Sequence, residues 1–352
     1  MDLMPSISYA TKSHRWHMVW FLVFLTIIIT IAIFLPRFLQ EKVLHELSYG
    51  LMKFSLDDPL PACARWKDHM PRTRDPAAYR LYIEARKIWR SKIGWQLTRD
   101  ETTRILTDVK KAAELGDWGA RALMARFYLR GLGILESNHV LDADPVKSVE
   151  ITRMAAEAMQ PWGLYDLGVA YEHGYGGAHY DIELAWAYYL KAAQLGSPEA
   201  QMALAQAYIE AGRLDDEATM LECAYKQEYG PAAYELSIKA GVLKQYHKAI
   251  LICHKGVKFG SKDCAAVLKI FFKKGFWDTD STEEKYALRP LGFKIDMERE
   301  RRYDMIYDAL QINPDLKLNR LDKVLPLPPA ELPPWSGVED AIEPESNDPP
   351  TY

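Results

Sequence analysis

The sequence predicts an all-α fold, a right-handed α-solenoid of helix-turn-helix repeats preceded by one N-terminal transmembrane helix. Two observations predict it: a motif of small, apolar and aromatic residues recurs along the middle of the chain, and residues 16–36 contain no Lys, Arg, Asp or Glu. The 352 residues are 49% hydrophobic, enough for a sizeable core. The net charge of −4 argues against a dedicated nucleic-acid-binding protein, which usually carries a basic face.

Residues 16–36, WHMVWFLVFLTIIITIAIFLP, match the thickness of a bilayer core, because 21 helical residues span about 30 Å. No small-residue cleavage site follows, so we expect an uncleaved signal anchor. The Lys and Arg residues on its two flanks nearly balance and do not decide the topology. The short tail with Lys12 and Arg15, and the acidic residues after the span, favour a cytoplasmic tail at 1–15. The sequence thus predicts a single-pass membrane protein with a linker at 37–74 and the bulk of the chain outside the cytoplasm, which in a bacterium means anchoring in the inner membrane and exposure to the periplasm.

An amphipathic helix is predicted at 75–93, with Ala78, Leu81, Ala85 and Ile88 on one face, and covers the N-terminal end of the array. Residues 65–92 hold nine Lys or Arg against three acidic residues. These could contact anionic lipid headgroups, although a solvated helix face is the favoured interpretation.

The repeats are the main organisational signal. ARALMARFY, GLYDLGVAY and AQMALAQAY begin at Ala120, Gly163 and Ala200, and share a small residue, an apolar one at +4, a small one at +5 and Tyr at +8. Looser copies begin at Ala232 and Cys264. The apolar positions Met124, Leu167, Leu204, Leu236 and Leu268 are spaced by 43, 37, 32 and 32 residues. Such a period is typical of an array of supersecondary units, here residues 75–275.

Each unit divides into two antiparallel helices. Asp181 can cap a helix running to about Leu195, and Gly196-Ser197-Pro198 ends it and starts a second helix that continues to about Ala211. Glycine-bearing loops separate the units, and we expect left-handed C-terminal caps at Gly131, Gly174, Gly212, Gly241 and Gly275. The recurring small residues are assigned to close helix contacts, because helix propensity alone does not explain their fixed offsets.

The C-terminal region, 276–337, is predicted to close the array with capping helices and a proline-rich segment. Asp296 can start a helix with Tyr303, Ile306, Tyr307 and Leu310 facing inward. Residues 325–335 are proline-rich and expected to be extended, with Leu327, Leu332 and Trp335 lying on the solenoid. Residues 338–352 are acidic, lack Lys and Arg, and are predicted to be a disordered tail.

Two stretches resemble known families. KAAQLGSPEAQMALAQAY and GLYDLGVAYEHGYGGAHYD resemble Sel-one-like repeats, relatives of tetratricopeptide repeats with the pattern KAAxxGxxxAxxxLGxxYxxGxG. DMERERRY at 296–303 and LDKVLPLPPAELPPW at 321–335 resemble the end of a bacterial Sel-one-like repeat family with a VPLPPAxLPxW signature. Members are often encoded beside type VI secretion effectors, including phospholipases, and are regarded as their cognate immunity proteins. The chain departs from that family by its uncleaved anchor and an extra loop at 133–142.

Candidate chemistry is sparse, and no enzyme is predicted. His173, His179 and Asp181 lie in one loop, but no further ligand completes a tetrahedral metal site. No catalytic residue, cofactor-binding residue, cofactor or small-molecule substrate is expected. In an oxidising periplasm Cys253 and Cys264 could form a disulfide; alternatively each cysteine replaces a small helix-contact residue. Cys63 follows Leu60-Pro61-Ala62, but Asp57 and Asp58 argue against a lipoprotein signal.

An array of helix pairs offers a long groove suited to binding one protein. Together with the resemblance, this gives the predicted function: a membrane-anchored periplasmic immunity protein that binds and neutralises a cognate type VI effector, with a phospholipase as one candidate. The alternative is a protein–protein interaction adaptor of a bacterial envelope complex. Aromatic residues dominate interface hot spots. Trp118, Trp162 and Tyr175, near the turns, are the candidate partner-binding residues.

Overall fold

The computed structural model describes residues 50–71, 73–275 and 282–342, and the chain from Met52 onward belongs to one compact unit. The described residues contain fourteen α-helices and no β-strand beyond an isolated bridge between Leu132 and Leu141. The all-α prediction is therefore confirmed. The predicted tail at 1–15 and membrane span at 16–36 lie outside the described residues, and none of the helices in the described ranges has the length and apolarity to cross a bilayer.

The helices follow one another along the chain with short connections. Their bounds are α1 Pro76–Trp89, α2 Arg99–Glu114, α3 Trp118–Arg130, α4 Pro145–Glu157, α5 Pro161–His173, α6 Ile182–Gln194, α7 Pro198–Glu210, α8 Leu214–Lys226, α9 Gly230–Val242, α10 Tyr246–Lys258, α11 Lys262–Lys274, α12 Thr282–Leu288, α13 Met297–Ile312 and α14 Leu321–Val324. Short 3₁₀ helices occupy Trp66–His69, Gly94–Gln96, Arg289–Leu291 and Val338–Ala341.

The helices pack as successive pairs, and the pairing differs in phase from the prediction. The most extensive contacts join α1 to α2, α3 to α4, α5 to α6, α7 to α8, α9 to α10 and α11 to α13. From α3 to α10, the paired helices meet across the loops that the sequence assigned to the boundaries between units. Contacts across the short turns, such as α6 to α7, are smaller. The recurring motif thus lies on the first helix of each pair, on α3, α5, α7, α9 and α11.

The recurring small residues lie where helices meet. Ala120, Ala200, Ala232 and Cys264 are fully buried, and Gly163 is buried at the same motif position. A Cβ atom on Gly163 would lie 2.4 Å from Ala155 Cβ and 2.8 Å from the backbone nitrogen of Ala156. The close-contact role predicted for these positions is confirmed.

The caps and glycine turns that the sequence predicts at helix ends are present, with one exception at Gly241. Asp181 caps α6 by accepting a hydrogen bond from the Leu184 amide, and Asp296 caps α13 from the Arg299 amide. Positive φ angles occur at Gly131, Gly174, Gly212 and Gly275, as predicted. The expectation for Gly241 is wrong, because α9 continues through it to Val242; Lys244, with φ 59°, adopts the left-handed conformation instead.

The C-terminal region packs against α11 as predicted. Tyr303, Ile306 and Leu310 of α13 are buried in one core with Phe272 of α11. Leu327, Leu332 and Trp335 lie partly buried on the same core. The proline-rich segment is not uniformly extended, since it contains a turn at Pro328 and Pro329, whose peptide bond is cis.

The boundary of the predicted disordered tail is wrong. Val338–Ala341 forms a 3₁₀ helix in which Val338 and Ala341 are buried, and the Ala341 carbonyl accepts a hydrogen bond from the Arg320 amide. Two apolar side chains among the acidic residues suffice to hold this turn on the core. The remainder of the predicted tail, 343–352, lies outside the described residues.

The structure decides between the two alternatives that the sequence left open for Cys253 and Cys264. Cys63 pairs with Cys223 of α8, with Cα atoms 5.2 Å apart, whereas Cys253 and Cys264 are free and buried. The Cys253 thiol donates to the backbone carbonyl of Cys264 over 3.5 Å. These two cysteines therefore serve as small helix-contact residues, the alternative that the sequence left open.

Candidate partner-binding groove

Two segments outside the repeats run across the turns of the array. We call residues 53–69 the N-terminal strap. It is fixed by the Cys63 disulfide, by Gln201 Nε2 donating to the Ala64 carbonyl over 3.1 Å, and by the Trp66 amide donating to Gln227 Oε1 over 3.0 Å. The part of the predicted linker described here is thus bound to the solenoid.

We call residues 313–320 the C-terminal strap. Its Leu318 amide donates to the Lys258 carbonyl over 3.0 Å. Asp315 accepts charge-assisted hydrogen bonds from Arg86 (2.7 and 2.9 Å) and Arg90 (3.2 Å) of α1. The C-terminal strap therefore joins the end of the chain to the first helix of the array.

Between the straps, the first helices of successive pairs form a groove. It consists of a cavity of about 310 Å³, bounded by Trp66 of one strap and Pro314 of the other, and a second of about 350 Å³ along α7, α8 and α9. The two cavities share Glu199, Tyr229 and Pro231, so they adjoin each other at these residues. We call this surface the Glu199 groove.

One register of the repeat lines the groove. Trp162, Glu199, Pro231 and Asp263 each immediately precede the recurring small residue of their repeat, and all four line the first cavity. The small residue turns toward the neighbouring helix, so the side chain one position earlier is turned toward the groove. This position is the signal by which the sequence could have identified the groove.

Glu199 is the central charged residue of the groove. It accepts hydrogen bonds from the hydroxyls of Ser197, over 3.0 Å, and Tyr229, and forms no ion pair within the described residues. Burial raises the pKa of the Glu199 carboxyl, and the two hydroxyls oppose that shift only in part. Burial and the nearby Glu199 carboxylate also raise the pKa of Tyr229.

Asp166 of α5 extends this acidic surface. Solvent reaches its side chain, yet desolvation by the surrounding protein and repulsion by Glu199 raise its pKa to about 7, against the opposing effect of Arg126. Beside it, burial and the same carboxylates raise the pKa of Tyr165 to about 12. The groove thus combines tyrosines with carboxylates that the fold does not neutralise.

Of the three predicted partner-binding residues, one lies in the groove and two lie outside it. Trp162 lies in the groove, half-buried. Trp118 is half-buried under the Arg121 guanidinium, 4.4 Å from its ring, and Tyr175 is half-buried in the loop after α5; neither lines the two cavities. Sequence reasoning missed Glu199, Tyr229 and Asp166.

The histidine loop does not assemble a metal site. His179 Nε2 lies 3.8 Å from Asp181, and His173 lies beside Glu172 at 4.0 Å. Across the described ranges, no group of three or more His, Cys, Asp or Glu residues is arranged to hold a metal ion.

The C-terminal part of the chain matches a known protein family. Residues 268–351 match a family described as a domain of unknown function, DUF6396. Comparison with curated protein sequences gives no match.

Three of the solved structures that resemble this chain come from Pseudomonas aeruginosa. Immunity protein Pa5087 shares 27% identity over 76% of this chain and 94% of its own, with a TM-score of 0.59. Immunity protein PA5088 shares 28% over 76% and 94%, with a TM-score of 0.56. The protein PA5086 shares 27% over 77% and 96%, with a TM-score of 0.61. The resemblance to bacterial immunity proteins that the sequence predicts is confirmed: this chain is similar to them over about three quarters of its length.

Proposed function

We propose that this chain is an immunity protein that binds and neutralises a toxin of a type VI secretion system. The observation that carries the proposal is the similarity to two immunity proteins over almost their full lengths. The Glu199 groove supports it, because two adjoining cavities, one of them bounded by both straps, offer a surface for a segment of another protein. A phospholipase is one candidate effector class that the sequence resemblance implies.

We place this activity in the periplasm, at the inner membrane. Residues 16–36 supply the proposed anchor, and the Cys63–Cys223 disulfide favours an oxidising compartment for the rest of the chain. Anchoring would raise the local concentration of the inhibitor at the surface that a lipid-degrading toxin attacks.

The test is co-expression with the effector encoded beside this chain, exported to the periplasm. We expect the full chain to restore growth. A variant lacking residues 1–36, retained in the cytoplasm, should not protect, while the same variant behind a cleavable signal peptide should recover most protection. Cell death irrespective of the full chain would contradict the proposal and favour the alternative function as an envelope-complex adaptor.

A further inference from the structure

We infer that the Glu199 groove receives a cationic segment of the partner protein, with an arginine or lysine side chain seated between Glu199 and the aromatic rings of the first cavity. This inference rests on the proposed function for the identity of the partner, but the groove chemistry that it uses stands independently. It assigns the partner's chemistry, which the similarity to immunity proteins leaves open.

The shape of the groove admits an extended segment. The cavities of about 310 and 350 Å³ adjoin at Glu199, Tyr229 and Pro231, and the second is lined by α7, α8 and α9. The first cavity has an aromatic wall of Trp66, Trp162, Tyr229 and Phe259. Aromatic faces attract cations, and arginine stacks on them more readily than lysine does.

The charges of the groove are complementary to a cation. Glu199 and Glu235 form no ion pair within the described residues, and Asp166 next to the second cavity likewise has none there. The raised pKa values of Asp166 and Glu199 have a common origin, since each carboxylate is desolvated without a neutralising partner. A guanidinium group placed among them would supply that partner through charge-assisted hydrogen bonds.

Carboxylates outnumber lysines in the lining of the two cavities, by five to two. Lys239 pairs with Glu217, Lys317 donates to the Phe259 carbonyl over 3.1 Å, and Lys262 pairs with Asp263 at 3.3 Å. Because Lys262 and Asp263 are both half-exposed, an incoming guanidinium can compete for Asp263 at little cost. The groove therefore favours a basic segment over an acidic one.

The experiment measures binding of defined peptides to the full chain in nanodiscs of phosphatidylcholine, a zwitterionic lipid with no net charge. The probes are an eight-residue peptide with two arginines around a tyrosine, and the same peptide with citrulline at both positions. Citrulline keeps the shape and removes the charge. We expect titration calorimetry to show that the arginine peptide binds about tenfold more tightly, and that Glu199→Gln removes about that factor.

The matched control is Glu150→Gln, which removes the same charge from an exposed position of α4 outside both cavities. It should leave peptide affinity unchanged. Asp263→Asn serves as a second groove variant if Glu199→Gln does not fold, and thermal melts of all variants establish folding. Equal affinity for the two peptides, or equal effects of the Glu199 and Glu150 substitutions, would overturn the inference.

The growth assay separates this inference from the proposed function. If the full chain protects cells while the arginine peptide shows no preference for the groove, the inference fails and the immunity function stands. If the arginine peptide binds through Glu199 but the full chain gives no protection, the immunity function fails and the inference stands.

Discussion

Gly163→Ala tests the close packing of the repeats, because helix propensity predicts that the substitution stabilises the chain and packing predicts that it destabilises it. Gly163 lies inside α5, where alanine favours the helix by about 0.5–1 kcal/mol. The added Cβ atom, however, would lie 2.4 Å from Ala155 Cβ in α4. It would also lie 2.8 Å from the backbone nitrogen of Ala156 and 2.9 Å from the backbone carbonyl carbon of Ala155. Real Cβ atoms do not make contacts this short, and backbone atoms cannot rotate away.

The substitution must therefore push α5 away from α4. Overpacking of this kind costs about 1–3 kcal/mol, so the net loss expected after the propensity gain is about 1–2 kcal/mol. That loss corresponds to a fall in Tm of roughly 2–6 °C for a domain of this size.

The assay is urea unfolding followed by circular dichroism, with the melting temperature measured in parallel. Thr107→Ala, at an exposed position of α2, shows that the assay registers propensity gains; we expect a stabilisation below about 0.7 kcal/mol. If Gly163→Ala stabilises the chain as Thr107→Ala does, the small residue is not at a packing contact and the reasoning is refuted.

Three further predictions concern the straps and the groove. Removing the disulfide by Cys63→Ser should cost about 2–5 kcal/mol of stability, and reducing agent should lower the Tm of the wild type but not of this variant. Asp315→Ala leaves the buried Arg86 guanidinium without its carboxylate and should cost about 3–5 kcal/mol in urea unfolding. The pKa of Asp166 rises from 3.8 to about 7 on folding, so the folded state retains a proton that the unfolded state releases. Its contribution to stability is present below pH 3.8 and is lost as the pH rises to about 7; Asp166→Asn should make the decline between these pH values shallower.

Each of these predictions has a contrary outcome. A Tm equally sensitive to reducing agent in the wild type and in Cys63→Ser would place the sensitive bond elsewhere. A loss below about 0.5 kcal/mol for Asp315→Ala would mean that the C-terminal strap does not depend on the arginine contacts. Parallel curves of stability against pH for Asp166→Asn and the wild type would show that this carboxyl does not titrate abnormally.

Features encoded locally were predictable from the sequence. Asp181 and Asp296 were recognisable as helix caps because a cap needs only one side chain and the next few amides. The buried positions of the repeat follow from the helical period and recur at fixed offsets. The inward face of α13 was predictable for the same reason, since Tyr303, Ile306 and Leu310 lie on one side of a helix.

Features that depend on distant parts of the chain were not predictable. Cys63 and Cys223 are separated by 160 residues, and only the path of the N-terminal strap across the array brings them together. The length of a helix also decides which residue after it takes a positive φ. Because α9 extends past Gly241 to Val242, the residue with a positive φ is Lys244, in the turn after the helix. The Lys244 side chain pairs with Glu283. Which neighbouring helices form a pair depends on how extensively they contact each other. The spacing of the motif is the same for either pairing, so it does not predict which one occurs.

The groove was predicted only in outline. Trp162 was identified because aromatic residues are frequent in interfaces, whereas Glu199 and Asp166 occur among many surface carboxylates of the sequence. Their distinction is environmental, since surrounding protein raises the pKa of both carboxyls and Glu199 raises that of Asp166 further. The sequence alone does not show how α5 and α7 are arranged in space, and so does not contain that information.

The most direct measurement of the central claim is hydrogen–deuterium exchange on the full chain, with and without the toxin proposed as its partner. The account predicts that binding slows exchange in α5, α7, α8 and α9 along the Glu199 groove and in the two straps, and leaves exchange in α2 and α4 unchanged. Slowed exchange confined to α2 and α4, with the groove helices unaffected, would contradict the account.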